Sequence, residues 1–220
     1  MAYLNVNRKG FITGPSETSQ SAARDAESGT ATDNTSGTQT AIQYYFNTGR
    51  GNTHRYIRAF LHFDTSGITG GSSMTLDITG AAYAHGNVIG IKHTAGEATG
   101  GELANDDFNN VDFGTTYTAS TEWTTSGMSI ELSAAAVTAI INDDHFNIAL
   151  VGIEDYNDTE VPLEESGNIS RGINFSAQLR LSYTAAASGY GHKVLAVAAG
   201  NIGEVNTVAT ANIGKINTVD

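Results

Sequence analysis

Two stretches of the chain concentrate side chains able to hold a cation or to flank a sugar. Asn105-Asp106-Asp107-Phe108-Asn109-Asn110-Val111-Asp112 and Glu154-Asp155-Tyr156-Asn157-Asp158 crowd hard oxygen atoms into short spans. Oxygen donors at this density suit calcium, and Asp106, Asp107, Asp112, Glu154, Asp155 and Asp158 are the candidate ligands of a structural ion, although neither stretch has EF-hand spacing. The same carboxylates could act as acid and base across a glycosidic bond, but that reaction needs a set separation which nothing in the spacing supplies. Solvated loop charges are the plainer alternative. The six histidines, His54, His62, His85, His93, His145 and His192, show no transition-metal ligand spacing. A nucleophile elbow and a phosphate-cradling glycine loop are also absent from the sequence. The chain therefore reads as a structural or binding protein rather than an enzyme, with calcium as its one candidate cofactor.

The aromatic residues offer a second chemistry. Tyr44, Tyr45, Tyr83, Tyr117, Trp123 and Tyr156 could form a platform on which sugar rings stack, and Trp123 could equally be a core residue.

The elements that must position these groups read as strands. With 220 residues the chain can bury a sizeable core. Its 25 Gly against 2 Pro, together with many Thr, Ser and Asn, fit short strands joined by turns, so the class expected is all-β. Eleven Lys and Arg against 23 Asp and Glu give a formal charge of −12, which draws the surface to neither nucleic acid nor an anionic membrane. Cysteine is absent, leaving stability to packing, assembly or oxygen-ligated ions. Residues Met1 to Asn7 lack a signal-peptide pattern and no window reaches spanning length, so membrane insertion is not expected and a protein made and kept soluble is.

The central strand lies within Arg55 to Ile68, where Ala59, Leu61 and Phe63 alternate with Arg58, Phe60, His62 and Asp64. Short strands are expected near Tyr3–Val6 and Gly10–Thr13, and the polar run between Pro15 and Thr40 reads as an exposed arm or long loop. Ala41–Phe46, Met74–Ala84, Val88–Ile91, Met128–Leu132, Phe146–Ile153 and Ile173–Tyr183 complete roughly eight strands, enough for two packed sheets. Ser133 caps the single helix expected, Ala134–Ile141. Three regions follow: 1–40 with N-terminal strands and arm, 41–184 as a β-sandwich, and 185–220 as linker and tail.

Arg58-Ala59-Phe60-Leu61-His62-Phe63-Asp64-Thr65-Ser66-Gly67-Ile68 resembles the R-x-x-L-R-F-D-L-S-x-I signature of DNRLRE-type domains, which are similar to carbohydrate-binding jelly rolls. His62 stands where that family has a basic residue and Thr65 where it has Leu. The later strand, Trp123, the helix, Asn147-Ile148-Ala149-Leu150 and the closing strand follow in the family's order, over roughly residues 40 to 184. The resemblance implies a jelly-roll β-sandwich with an adhesive or surface role and no catalytic set.

The C-terminal region repeats itself. Asn201-Ile202-Gly203-Glu204-Val205-Asn206-Thr207-Val208 returns 11 residues later as Asn212-Ile213-Gly214-Lys215-Ile216-Asn217-Thr218-Val219, with six of eight positions identical. A fainter copy at Lys193–Val197 precedes both. Val194, Val197, Ile202, Val205, Val208, Ile213, Ile216 and Val219 are the apolar residues expected to make assembly contacts, because so few cannot build a core within one chain. Such endings resemble those of structural proteins of tailed bacteriophages. The resemblance implies a virion-surface protein, a capsid decoration or head-fibre subunit, that contacts other capsid or tail proteins and forms a homo-oligomer, with a trimer favoured. The competing expectation is a tail adhesin whose domain binds host glycans.

Overall fold

The computed structural model describes residues 1–34, 40–47, 51–82, 86–96, 101–123, 127–159, 169–186, 204–205 and 208–209. The chain divides into two compact units, Met1–Thr184 and Ala185–Asp220.

Unit one is organised on β5 (Thr53–Asp64), buried from Tyr56 through Phe63. One edge of β5 pairs antiparallel with β2 (Arg8–Thr13). The opposite edge is shared: β4 (Thr40–Asn47) takes residues 53–57 and β11 (His145–Gly152) takes residues 59–64. The sheet consequently forks. One branch runs from β4 through β12 (Ile169–Ala185) to β6 (Gly71–Ala82) and β10 (Met128–Glu131); the other runs from β11 to β7 (Asn87–His93) and β8 (Val111–Thr116). Three short strands extend it: β1 (Ala2–Asn5) on β12, β3 (Ala31–Asp33) on β2, and β9 (Thr121–Glu122) on β7.

The branches close over one apolar core, which makes the unit an all-β sandwich. Ala59, Leu61 and Phe63 meet Leu150, Ile148 and Phe146 in register, and Met74, Leu76, Ile78, Leu179 and Leu181 cover them from the other branch. This is the face that the alternation of β5 predicts. Helix α2 (Ala134–Asn142) adds Ala136 and Ile140 to the core, and Ser133 caps it by accepting from the Ala136 amide at 3.3 Å.

The second face of β5 is buried as well. Tyr56 and Phe60 pack with Ile89, Ile91, Ala149 and Val151, beneath Ala23 and Phe108. Those covers come from α1 (Gln20–Arg24) and from a 3-10 turn at Asn105–Asn109, with α3 (Ile153–Asn157) close by. Residues 15–34 are largely exposed, as their polarity suggests, but Gln20 and Ala23 among them are buried. Small Ala23 fits flush against the sheet, and the buried amide of Gln20 donates to the Tyr56 hydroxyl (2.6 Å) and to the Thr159 carbonyl. Ile153 likewise begins a helix rather than extending β11.

In unit two, β13 (Glu204–Val205) pairs antiparallel with β14 (Val208–Ala209), bringing Val205 opposite Val208.

Candidate functional site

Arg58 has the most specific polar environment in the described residues. A strand position facing away from the main core is an ordinary place for a solvated arginine, yet the covers over this face leave the side chain fully buried. Its Nε and one Nη donate to the two carboxylate oxygens of Asp155, both at 2.8 Å, in the fork geometry that guanidinium and carboxylate share. The remaining donors reach the carbonyls of Phe108 (2.8 Å) and Arg24 (2.6 Å), and the guanidinium carbon lies 4.1 Å from the Phe108 ring centroid. Arg24 reinforces the joint, its Nε donating to the Asp155 carbonyl at 2.7 Å. One cluster thus ties α1, β5, the 3-10 turn and α3 together.

The six candidate calcium ligands do not converge. Asp155 is committed to Arg58, and Asp158 lies at 4.0 Å from Arg24 Nε. The carboxylate of Asp107 accepts from the amides of Gly96 (3.0 Å) and Ala104 (2.9 Å) and from Asn110 Nδ2 (2.7 Å), so it pins the 3-10 turn. Asp112 accepts from the Gly114 amide at 2.9 Å; hydrogen bonds from Thr115 and Gly114 hold its carboxyl below the usual range. Asp106 and Glu154 join no ligand set, and among the described residues no three His, Asp or Glu groups are placed to hold a metal.

The six-aromatic platform is also dispersed. Tyr44, Tyr117 and Trp123 are core residues: the Tyr44 hydroxyl bonds His54 Nδ1 at 3.0 Å, Tyr117 lies 5.0 Å from the Phe146 ring, and Trp123 covers Gly86 so tightly that a Cβ there would lie 2.6 Å from the indole. Buried rings cannot stack on a sugar. Tyr156 is half-buried against Phe113, and Tyr83 lies outside the described residues. Tyr45 lines a cleft together with Ser16, Asn47, Thr53 and Arg55, a space of about 480 Å³.

The β4–β5 register explains this cleft. Tyr45 pairs with Arg55 and Asn47 with Thr53, so all four side chains leave one face of the hairpin, while Tyr44, Phe46, His54 and Tyr56 occupy the other. Ser16 enters through the Glu17–His54 bridge on the opposite edge of β5. The Arg55 guanidinium lies over the Tyr45 ring at 5.0 Å, and Asn47 Nδ2 donates to the Tyr45 hydroxyl at 3.2 Å.

A second polar cluster, also missed from sequence, joins β6, β10 and β12. Asp77 accepts from Ser129 Oγ (2.6 Å), Arg180 Nε (3.2 Å) and Ser182 Oγ. Burial works upward on its carboxyl, and the hydrogen bonds from Ser129, Ser182 and Arg180 outweigh it and hold the pKa below its ordinary value.

Of the assembly residues, Val205 and Val208 sit in the tail hairpin; Val194, Val197, Ile202, Ile213, Ile216 and Val219 lie outside the described residues. Comparison with family models, with curated proteins and with solved structures finds no match to this chain.

Proposed function

We propose that this is a non-enzymatic structural subunit of a bacteriophage virion, a capsid decoration or head-fibre protein displayed on the particle surface. In this reading a jelly-roll-type sandwich projects from the particle and the repeat tail joins it to other virion proteins or to identical chains. The observation that carries the proposal is the tail itself. The first full repeat copy contains Val205 and Val208, which face each other across a two-stranded pair, and such a ribbon is marginal in water without a surface to cover it. The recurrence of the same residues 11 positions on implies that the covering surface is met more than once. Imaging labelled protein on intact particles tests the reading: label on the capsid is expected, and no label on any particle would overturn it.

A second reading, a tail adhesin that binds host glycans, is favoured by the cleft at Tyr45. Label confined to the tail, with glycan binding that depends on Tyr45, would replace the first reading with this one.

A further inference from the structure

Among the described residues, the cleft beside Tyr45 contains a cation without an anion. Elsewhere in this acidic chain Arg24, Arg58 and Arg180 each pair with an aspartate, and Arg8 donates to the Gly101 carbonyl at 2.8 Å. Among the described residues no carboxylate meets Arg55. Its Nε is buried with no hydrogen-bond partner, a condition that native interiors resolve with a water, an ion or a ligand. With 23 acidic residues against 11 basic ones, a guanidinium that no described carboxylate pairs, set at a concave surface, is a local reversal of the overall field.

The neighbouring groups narrow the chemistry of the missing partner. A guanidinium grips a carboxylate through two parallel hydrogen bonds, and here its tilt is limited by the Tyr45 ring beneath it. Ser16, Thr53 and Asn47 supply hydroxyl and amide groups of the kind that pair with sugar hydroxyls, and the space of about 480 Å³ lies in the range of small-ligand sites. A bare anion would use Arg55 and leave the rest of the wall idle. We propose that the cleft binds a carboxylate-bearing sugar, a uronic-acid residue of an acidic glycan, with Arg55 on the carboxylate and Ser16, Asn47 and Thr53 on the ring hydroxyls. This inference deepens the adhesin reading and rests on it.

The test is calorimetric titration of the full chain with a uronic-acid oligosaccharide, its neutral counterpart and acetate. Saturable uronate binding is expected that weakens as salt rises, drops about tenfold or more in Arg55→Gln, and drops less in Arg55→Lys, which keeps the charge and loses the fork. Asn47→Ala should also weaken the uronate, which guards against a folding defect particular to the arginine variants. Neutral and acidic oligosaccharides binding equally well, or Arg55→Gln binding like the parent, would overturn the uronate assignment while leaving the adhesin reading in place. Acetate binding as tightly as the oligosaccharide would reduce the cleft to an anion site and sink the sugar assignment. Binding of no glycan at all on a broad array would sink this inference and the adhesin reading together.

Discussion

His93 shows how much a single side chain can report about this fold. Its Nε2–H donates to the Leu61 carbonyl at 3.1 Å and its Nδ1 accepts from the Ala95 amide at 3.2 Å, an arrangement that only the neutral ring satisfies. Phe60 stands edge-on at 5.2 Å. Burial pushes the imidazole down from 6.5 to about 4; the bond to Leu61 and the charge of Asp107 pull upward, and His62 adds to the depression. Because the folded chain binds this proton less readily than the unfolded one, stability rises with pH between about 4 and 6.5 and is fully present above that window. The difference is on the order of 3 kcal/mol across the window. Urea midpoints should fall as pH is lowered through it in the parent and fall much less in His93→Gln; an equal slope in both would assign the effect to other groups. On β5 itself, Leu61→Ala or Phe63→Ala should cost on the order of 2–5 kcal/mol, since each leaves a cavity in the main core. His62 is buried on the other face, where its Nδ1 bonds Asn147 Oδ1 at 2.7 Å, and His62→Ala should cost roughly 1–2 kcal/mol. Equal losses at all three positions would contradict the register.

At the scale of elements, the Arg58–Asp155 joint decides whether the second face of β5 stays covered. Truncating one partner strands a desolvated charge, so Arg58→Met or Asp155→Leu alone should cost about 3–5 kcal/mol. The double variant should recover most of that, because replacing both charges removes the desolvation penalty along with the attraction; a double-mutant cycle read by denaturant unfolding checks it. Additive losses would mean that the pair is not the joint. This joint also marks where sequence reading runs out. Alternation locates β5, β6, β7 and β11, and Ser133 ahead of an alanine-rich run locates α2, because those signals are local. Helices α1 and α3 span five residues each, too short to show a periodicity, and they are held by contacts with Arg58 that lie 34 and 97 positions away. Polarity therefore suggested a loose arm where Ala23 and Arg24 in fact seal a core. The cleft was half legible in the same way. Tyr45 is conspicuous as an aromatic, but Arg55 becomes its neighbour only once the hairpin register is known.

For the whole molecule, the division after Thr184 separates a unit with its own core from a tail that has no comparable one within its described residues. The sandwich closes with Leu179, Leu181 and Tyr183 of β12 packed into or against the main core, and β1 pairs with that same stretch from Asn5↔Arg180 to Ala2↔Tyr183. Every residue named in this closure lies in the first unit. Deleting residues 190–220 should accordingly leave the thermal unfolding of the sandwich nearly unchanged while abolishing self-association or attachment to the particle. The physical reason is that Val205, Val208, Ile216 and Val219 are too few to build a core of their own, and a two-stranded pair is an open edge for further pairing. Identical chains around a rotation axis would give every repeat the same neighbour, which favours a closed homotrimer over a monomer on a foreign surface. Sedimentation or light scattering of the full chain against the truncated one reads the outcome directly: a trimer collapsing to a folded monomer is expected, and a truncated protein unchanged in both association and particle binding would refute an assembly role for the tail.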